Sequence, residues 1–311
     1  MPTTVPQLAL ALRNILVATD FSACSERALL HAIAAAHHCG STLHFVHVVQ
    51  PEIFSILPPE AYIGTPDALA MALKQANAEV DTLVIDVLQR THCEDLKHRI
   101  WVQQGASVSD TLRAIIEREH IDLAVVGTHG RTGLRRLVLG SVAEGVFRYA
   151  PCPVLTVGPH SWRSDPQSVY LKHVLFPTDF SPDSARALPI AMAVATDFGA
   201  TLTLLNIIER FDGEATHDRP RVVAALEQRM HDMVCAVGPV PPGTVFQVEF
   251  GEVADTVIEA VTRLGVDLVV FGLKAPDTYV DRLPWMNAYK IVCEVGCPVL
   301  SLRGPSLPGS E

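Results

Sequence analysis

The chain has 311 residues, 49% of them hydrophobic and 19% charged, which is the length of two domains with apolar material for two cores and excludes a disordered protein. Its 34 acidic residues against 24 basic ones give a formal charge of −10, and only 6% are aromatic. The chain therefore lacks both the field that recruits nucleic acid or anionic lipid and the rings of a base-stacking surface. Seven scattered cysteines suggest no disulfide framework, the opening MPTTVPQLALALRN has no basic signal-peptide start, and no apolar run approaches ~18 residues. The expectation is a cytoplasmic protein with no membrane and no nucleic-acid partner.

The elements alternate from the start. Asn14–Ala18 reads as a short buried strand, and Ser22 opens a helix with Ala28, Leu29, Ala32 and Ile33 on its core side and Gly40 as its C-cap. Leu43–Val49 follows as a second strand, Ala68–Arg90 as a long helix and Ile100–Gln103 as a third strand ending near Gly105. Ser109–Glu119 reads as a helix with Ser109 as N-cap, Leu123–Val126 as a fourth strand, Ser141–Tyr149 as a helix stopped by Pro151, and Val154–Val157 as a fifth strand. Strands alternating with helices predict a parallel sheet covered on both faces.

The same order then repeats. Asn14–Val49 and His173–Ile208 share 15 of 36 positions at an offset of 159, including TDFS in both. IDLAVVGTHG from Ile121 and APCPVLTV from Ala150 match VDLVVFGLKA and VGCPVLSL at an offset of 145. The second copy has therefore lost 14 residues, assigned here to the segment matching Gln50–Ala70. The expected organisation is a first domain over 12–158, a linker over 159–171, a second domain over 172–303 and a tail over 304–311. The fold class is two tandem, doubly wound, open parallel five-stranded sheets flanked by helices.

Open parallel sheets bind ligands beyond the carboxyl ends of their strands. Two groups fall there in the first copy, Thr19-Asp20 after the first strand and GTHGRTGLRRLVLGS after the fourth. Gly127 and Gly130 let backbone pass close to a bulky anion, and Gly140-Ser141 stands where free amides and the helix dipole favour negative charge. Arg131, with Arg135 or Arg136, adds local positive charge, and Asp20 can accept hydrogen bonds from ribose hydroxyls. This is a phosphate cradle without a P-loop lysine.

With its Gly127-x2-Gly130-x9-Gly140-Ser141 spacing, TDFS on the first strand, GSVAE on the helix and the closing CPVLTV, the chain resembles a tandem member of the universal stress protein family. The resemblance implies an adenine nucleotide alpha hydrolase-like, Rossmann-like fold that binds ATP, with Mg²⁺, along the strand ends. It places Asp20 near ribose, the backbone of Val48 at adenine, and Gly127, Gly130, Arg131, Gly140, Ser141 and Val142 around the phosphates. It also implies that the two copies pair through their last strands as an intramolecular pseudo-dimer, with homodimerisation and an unnamed protein partner open.

The second copy departs from the pattern. Gly272 matches Gly127, but Ala275 and Pro276 replace Gly130 and Arg131, and Trp285-Met286 replaces Gly140-Ser141. One nucleotide site is expected, in the first copy. His129 has no carboxylate partner in sequence, His37, His38 and Cys39 point to different helix faces, and Cys152, Cys293 and Cys297 read as buried thiols, so neither a catalytic nor a metal site is expected. The leading reading is an ATP-binding regulatory protein. A slow ATPase or phosphotransferase, and an interaction scaffold that binds no nucleotide, are the alternatives.

Overall fold

The computed structural model describes residues 12–50, 66–128, 139–159, 161, 171–209, 218–273 and 282–303. The chain divides into two compact units, one built on Leu12–Pro159 and the other on Tyr170–Glu311.

The N-terminal unit runs β1 (Asn14–Ala18), α1 (Ala23–Cys39), β2 (Thr42–Val49), α2 (Pro66–Arg90), β3 (His98–Gln104), α3 (Val108–Arg118), β4 (Leu123–Gly127), α4 (Ser141–Tyr149), β5 (Val154–Val157). Its strands pair in the order β3-β2-β1-β4-β5, all parallel. Right-handed crossovers then put α1 and α2 on one face and α3 and α4 on the other. The strands are apolar because both faces are covered: Ile15, Leu16, Val17, Phe45, Ala124 and Val125 are fully buried. The predicted core side of α1 is fully buried too, Ala28, Leu29, Ala32 and Ile33 all being inaccessible. Each such Leu or Ile contributes roughly 1.5–3 kcal/mol relative to exposure.

The ends of α1 follow from its sequence. The Ser22 hydroxyl accepts the Ser25 amide at 3.2 Å, and Gly40 closes the helix at φ 66°, a conformation that carries little penalty only without a Cβ. At α3 the structure corrects the sequence reading. The N-cap is Ser107, whose hydroxyl accepts the Asp110 amide at 3.3 Å, and Ser109 lies inside the first turn.

The C-terminal unit repeats the plan with β6 (His173–Pro177), α5 (Pro182–Phe198), β7 (Thr201–Ile208), α6 (Arg219–Val237), β8 (Val245–Phe250), α7 (Val253–Leu264), β9 (Leu268–Leu273), α8 (Arg282–Glu294) and β10 (Val299–Arg303). Its strands pair β8-β7-β6-β9-β10, again parallel. The shorter length of this copy has a definite place. The connection before the second helix covers 209–218 rather than 50–65, and α6 has 19 residues against 25 in α2. Both helices end the same distance before the next strand, so the helix is shortened at its start, close to the expected segment.

Both units anchor the first strand in one way. Asp122 accepts the amides of Arg13 and Asn14 at 2.7 and 2.9 Å, and Asp267 accepts those of Lys172 and His173 at 2.7 and 3.0 Å. This explains the Asp common to IDLAVVG and VDLVVFG: a carboxylate satisfies two amides at the strand's open end.

Candidate functional site

The order β3-β2-β1-β4-β5 reverses direction between β1 and β4, and at such a switch point the loops leaving the two strands diverge and open a crevice. Val17 pairs with Val125. Three residues beyond that pair, Asp20 has left β1, while Thr128 follows the end of β4.

On the β1 side, TDFS folds into a turn that satisfies itself. The Thr19 hydroxyl accepts the Phe21 amide at 3.1 Å, Asp20 Oδ1 accepts the Ser22 amide at 3.0 Å, and Ser22 caps α1. Phe21 takes a left-handed φ of 61°. The second copy is the same: Thr178 accepts from Phe180 at 3.1 Å, Asp179 from Ser181 at 2.9 Å, and Phe180 has φ 60°. The recurrence of TDFS thus has a local structural cause, and Asp20 does turn-forming work whatever else it contacts.

On the β4 side, Thr128 is fully buried and its amide donates to the Val157 carbonyl at 3.0 Å. The Gly140 amide donates back to the Thr128 carbonyl at 2.8 Å. The two ends of the glycine-rich segment are therefore tied together at its base, next to the first turn of α4. Gly140 is the N-cap of α4 and supplies no side-chain bond to the helix amides. At the amide end of α4 Ser141 is exposed and Val142 half-buried, and such a helix start favours negative charge. Glu144 is the acid of that first turn, and it pairs down the helix with Arg148 at 3.5 Å.

Gly127 has a packing cause of its own. A Cβ there would lie 2.9 Å from the backbone carbon and oxygen of Cys24 and 3.0 Å from the Ser25 amide. At Gly272 it would collide still harder with Asp183 and Ser184 of α5. The glycine shared by both copies is therefore the one that lets the strand end pass the helix. Gly140 has φ −61° and ψ 149°, an extended conformation open to any residue. Gly130 and Arg131, with His129, Arg135 and Arg136, lie outside the described residues.

Val48 completes the crevice. Val46 accepts the Thr19 amide at 2.9 Å, on the β1 side, and Val49 accepts the Gly105 amide at 3.2 Å, on the β3 side. By the alternation of the ladder, the backbone of Val48 faces the β1 side, beyond the point where β1 has left the sheet. The structure thus brings Asp20, Val48, Gly127, Gly140, Ser141 and Val142 to one sheet edge. Sequence reasoning passed over His47, whose Nδ1 lies 2.8 Å from the Thr19 carbonyl, although its match to Asn206 was visible in the aligned repeats.

The second copy differs at the helix that faces its crevice. By the offset of 145, Gly140-Ser141 corresponds to Trp285-Met286. Yet α8 begins at Arg282, about one turn earlier than α4 begins. The helix of the second copy thus starts earlier in the aligned sequence, and Met286 stands 60% exposed in place of the serine.

The thiols are placed for packing. Burial pushes the Cys152 and Cys297 thiols up to about 12. Cys293 and Cys297 are buried as the sequence reading expects, but Cys152, at the entry to β5, is only half-buried, and Cys235 is exposed. Among the described residues, no three His, Cys, Asp or Glu side chains converge on a metal-sized site, and no helix is long and apolar enough to cross a membrane.

Comparison with known proteins follows the duplication. The sequence model of the Universal stress protein family matches twice, over residues 11–158 and 171–303. A universal stress protein of Methanocaldococcus jannaschii is 33% identical over 149 residues, which is 47% of this chain and 81% of that protein. One of Mycolicibacterium smegmatis is 29% identical over 197 residues, covering 62% of this chain and 63% of the relative. The solved structure of a universal stress protein from Archaeoglobus fulgidus matches with a TM-score of 0.66 over 95% of this chain and 98% of that one, a likeness of fold at 18% identity.

Proposed function

The chain belongs to the universal stress protein family, with one family domain in each half, and on that premise we propose that it is a cytoplasmic ATP-binding regulatory protein with a single nucleotide site in the N-terminal unit. The observation that carries the reading is the pairing of Thr128 with Gly140, which ties the two ends of the glycine-rich segment together at the start of α4. The triphosphate is assigned to those amides, to the Ser141 hydroxyl and to Gly127, Gly130, Arg131 and Val142. The ribose is assigned to Asp20 and the adenine edge to the backbone of Val48, which offers one donor and one acceptor side by side. Mg²⁺ arrives on the phosphates of ATP.

In the C-terminal unit the turn is kept, while the helix start is advanced and the glycine, arginine and serine are replaced. It is assigned no ATP. Regulation follows if ATP prefers one arrangement of the segment between Gly127 and Ser141, and the size of the response is bounded by that preference. A protein partner reading that surface is part of the proposal.

Titration calorimetry with Mg-ATP tests it, with one site per chain as the expected result. Turnover of bound Mg-ATP above ~1 s⁻¹, the lower end of ordinary enzymes, would replace the regulatory reading by an enzymatic one.

A further inference from the structure

We infer that His47 is a positioning residue for the ribose-side turn of the N-terminal site, holding Asp20 by gripping the residues on either side of it. The inference rests on the nucleotide reading above and names what sets the geometry of that site.

His47 Nδ1 lies 2.8 Å from the Thr19 carbonyl oxygen. A carbonyl only accepts, so Nδ1 carries the hydrogen and donates it. The ring of Phe21 lies 4.8 Å from the His47 ring, tilted by 49°. Asp20 is the residue between those two contacts. The turn needs such support, because a phenylalanine at φ 61° sits in the left-handed region, which a residue with a Cβ disfavours. His47 also directly precedes Val48. One side chain therefore ties the strand end assigned to the base to the turn assigned to the ribose.

The C-terminal unit supplies an internal control. The residue matching His47 is Asn206, and its Nδ2 donates to the Thr178 carbonyl at the same 2.8 Å. The donor is retained although the residue type has changed. An asparagine cannot cover the following phenylalanine, and in this unit the guanidinium of Arg229 lies 4.1 Å from the Phe180 ring instead. The two tasks that His47 performs together are divided between two residues in the second copy. The side chain at this position is therefore selected for its donor to the strand-end carbonyl.

The test uses the full chain and two ligands, Mg-ATP and Mg-2′,3′-dideoxyATP, which differ only in the hydroxyls assigned to Asp20. Hydrogen bonds from those hydroxyls to a carboxylate make the wild type prefer ATP by about tenfold or more. His47→Leu, which keeps volume and removes the donor, is expected to shrink the preference to under about threefold. His47→Asn, the side chain used at 206, is expected to keep most of it. His47→Ala carries the same expectation as His47→Leu and stands in for it if the leucine variant does not fold. A purely structural histidine would weaken both ligands alike, so an unchanged ratio in the donor-less variants overturns the inference while leaving the nucleotide site intact. A His47→Asn protein that behaves like His47→Leu overturns it as well. Failure of the wild type to bind ATP overturns both.

Discussion

Gly127→Ala adds one carbon at the point where β4 passes the start of α1. The new Cβ would meet the backbone of Cys24 at 2.9 Å and that of Ser25 at 3.0 Å. Neither neighbour is the loose end of a side chain. Cys24 and Ser25 belong to a helix turn capped by Ser22, and Gly127 is held in register with Val157 on β5. Relief requires the strand end or the helix to move by several tenths of an ångström. Overpacking of this kind costs about 1–3 kcal/mol. With a urea m-value near 2 kcal/mol/M, the N-terminal unit should lose about 0.5–1.5 M in its midpoint, without nucleotide present and with m unchanged. Gly272→Ala, where the clash with Asp183 is tighter, should cost the C-terminal unit at least as much. Unfolding followed by circular dichroism in nucleotide-free protein measures this. If Gly127→Ala unfolds within about 0.5 kcal/mol of wild type, the range of ordinary surface changes, the steric account of the glycine shared by the two copies is wrong.

Further expectations follow from other parts of the fold. His44 is buried, accepts the Trp101 indole N–H at Nδ1 (3.1 Å) and faces Asn14 Oδ1 from Nε2 at 3.3 Å, so it is held as the neutral ring; burial, aided by Arg99 against the opposing Glu119, lowers its pKa below 6.5. The unfolded chain then binds the extra proton first, so stability present above pH 6.5 falls as the pH drops below it, and His44→Thr, with the residue found at 203, should show a shallower fall in denaturant titrations between pH 7 and 5. Asp122→Ala strips two amides of their acceptor and should destabilise the N-terminal unit by about 1–3 kcal/mol in the same unfolding assay. In native protein a thiol reagent at pH 8 should modify Cys235 well before Cys152 and Cys297, and Cys235→Ser should remove the fastest phase.

The alternation of elements was legible because parallel strands covered on both faces read as unbroken apolar runs, and the duplication let each reading be checked against its copy. Ser22 and Gly40 declared the ends of α1 through ordinary capping chemistry. What escaped was what identity alone does not reveal. Ser107 and Ser109 both suit an N-cap, and only the spacing Ser107-x-x-Asp110 favoured the one that forms the bond. TDFS invited a ligand reading, while much of its recurrence comes from a turn whose hydrogen bonds are internal to the motif. Gly127 is kept in the second copy because a helix backbone fills the space of its Cβ, whereas Gly140, replaced there by Trp285, has an extended backbone that any residue can adopt. The bond from His47 was invisible because its partner is a main-chain carbonyl, which leaves no mark on sequence.

The central claim is one ATP per chain, in the N-terminal unit. Purified protein loaded with Mg-ATP, freed of excess nucleotide and denatured should release about one equivalent, identified by chromatography. The variant Gly140→Trp, Ser141→Met, which installs the residues of the second copy, should release essentially none while folding normally. Two equivalents from wild type, none from wild type, or one equivalent retained by the variant would each contradict the account.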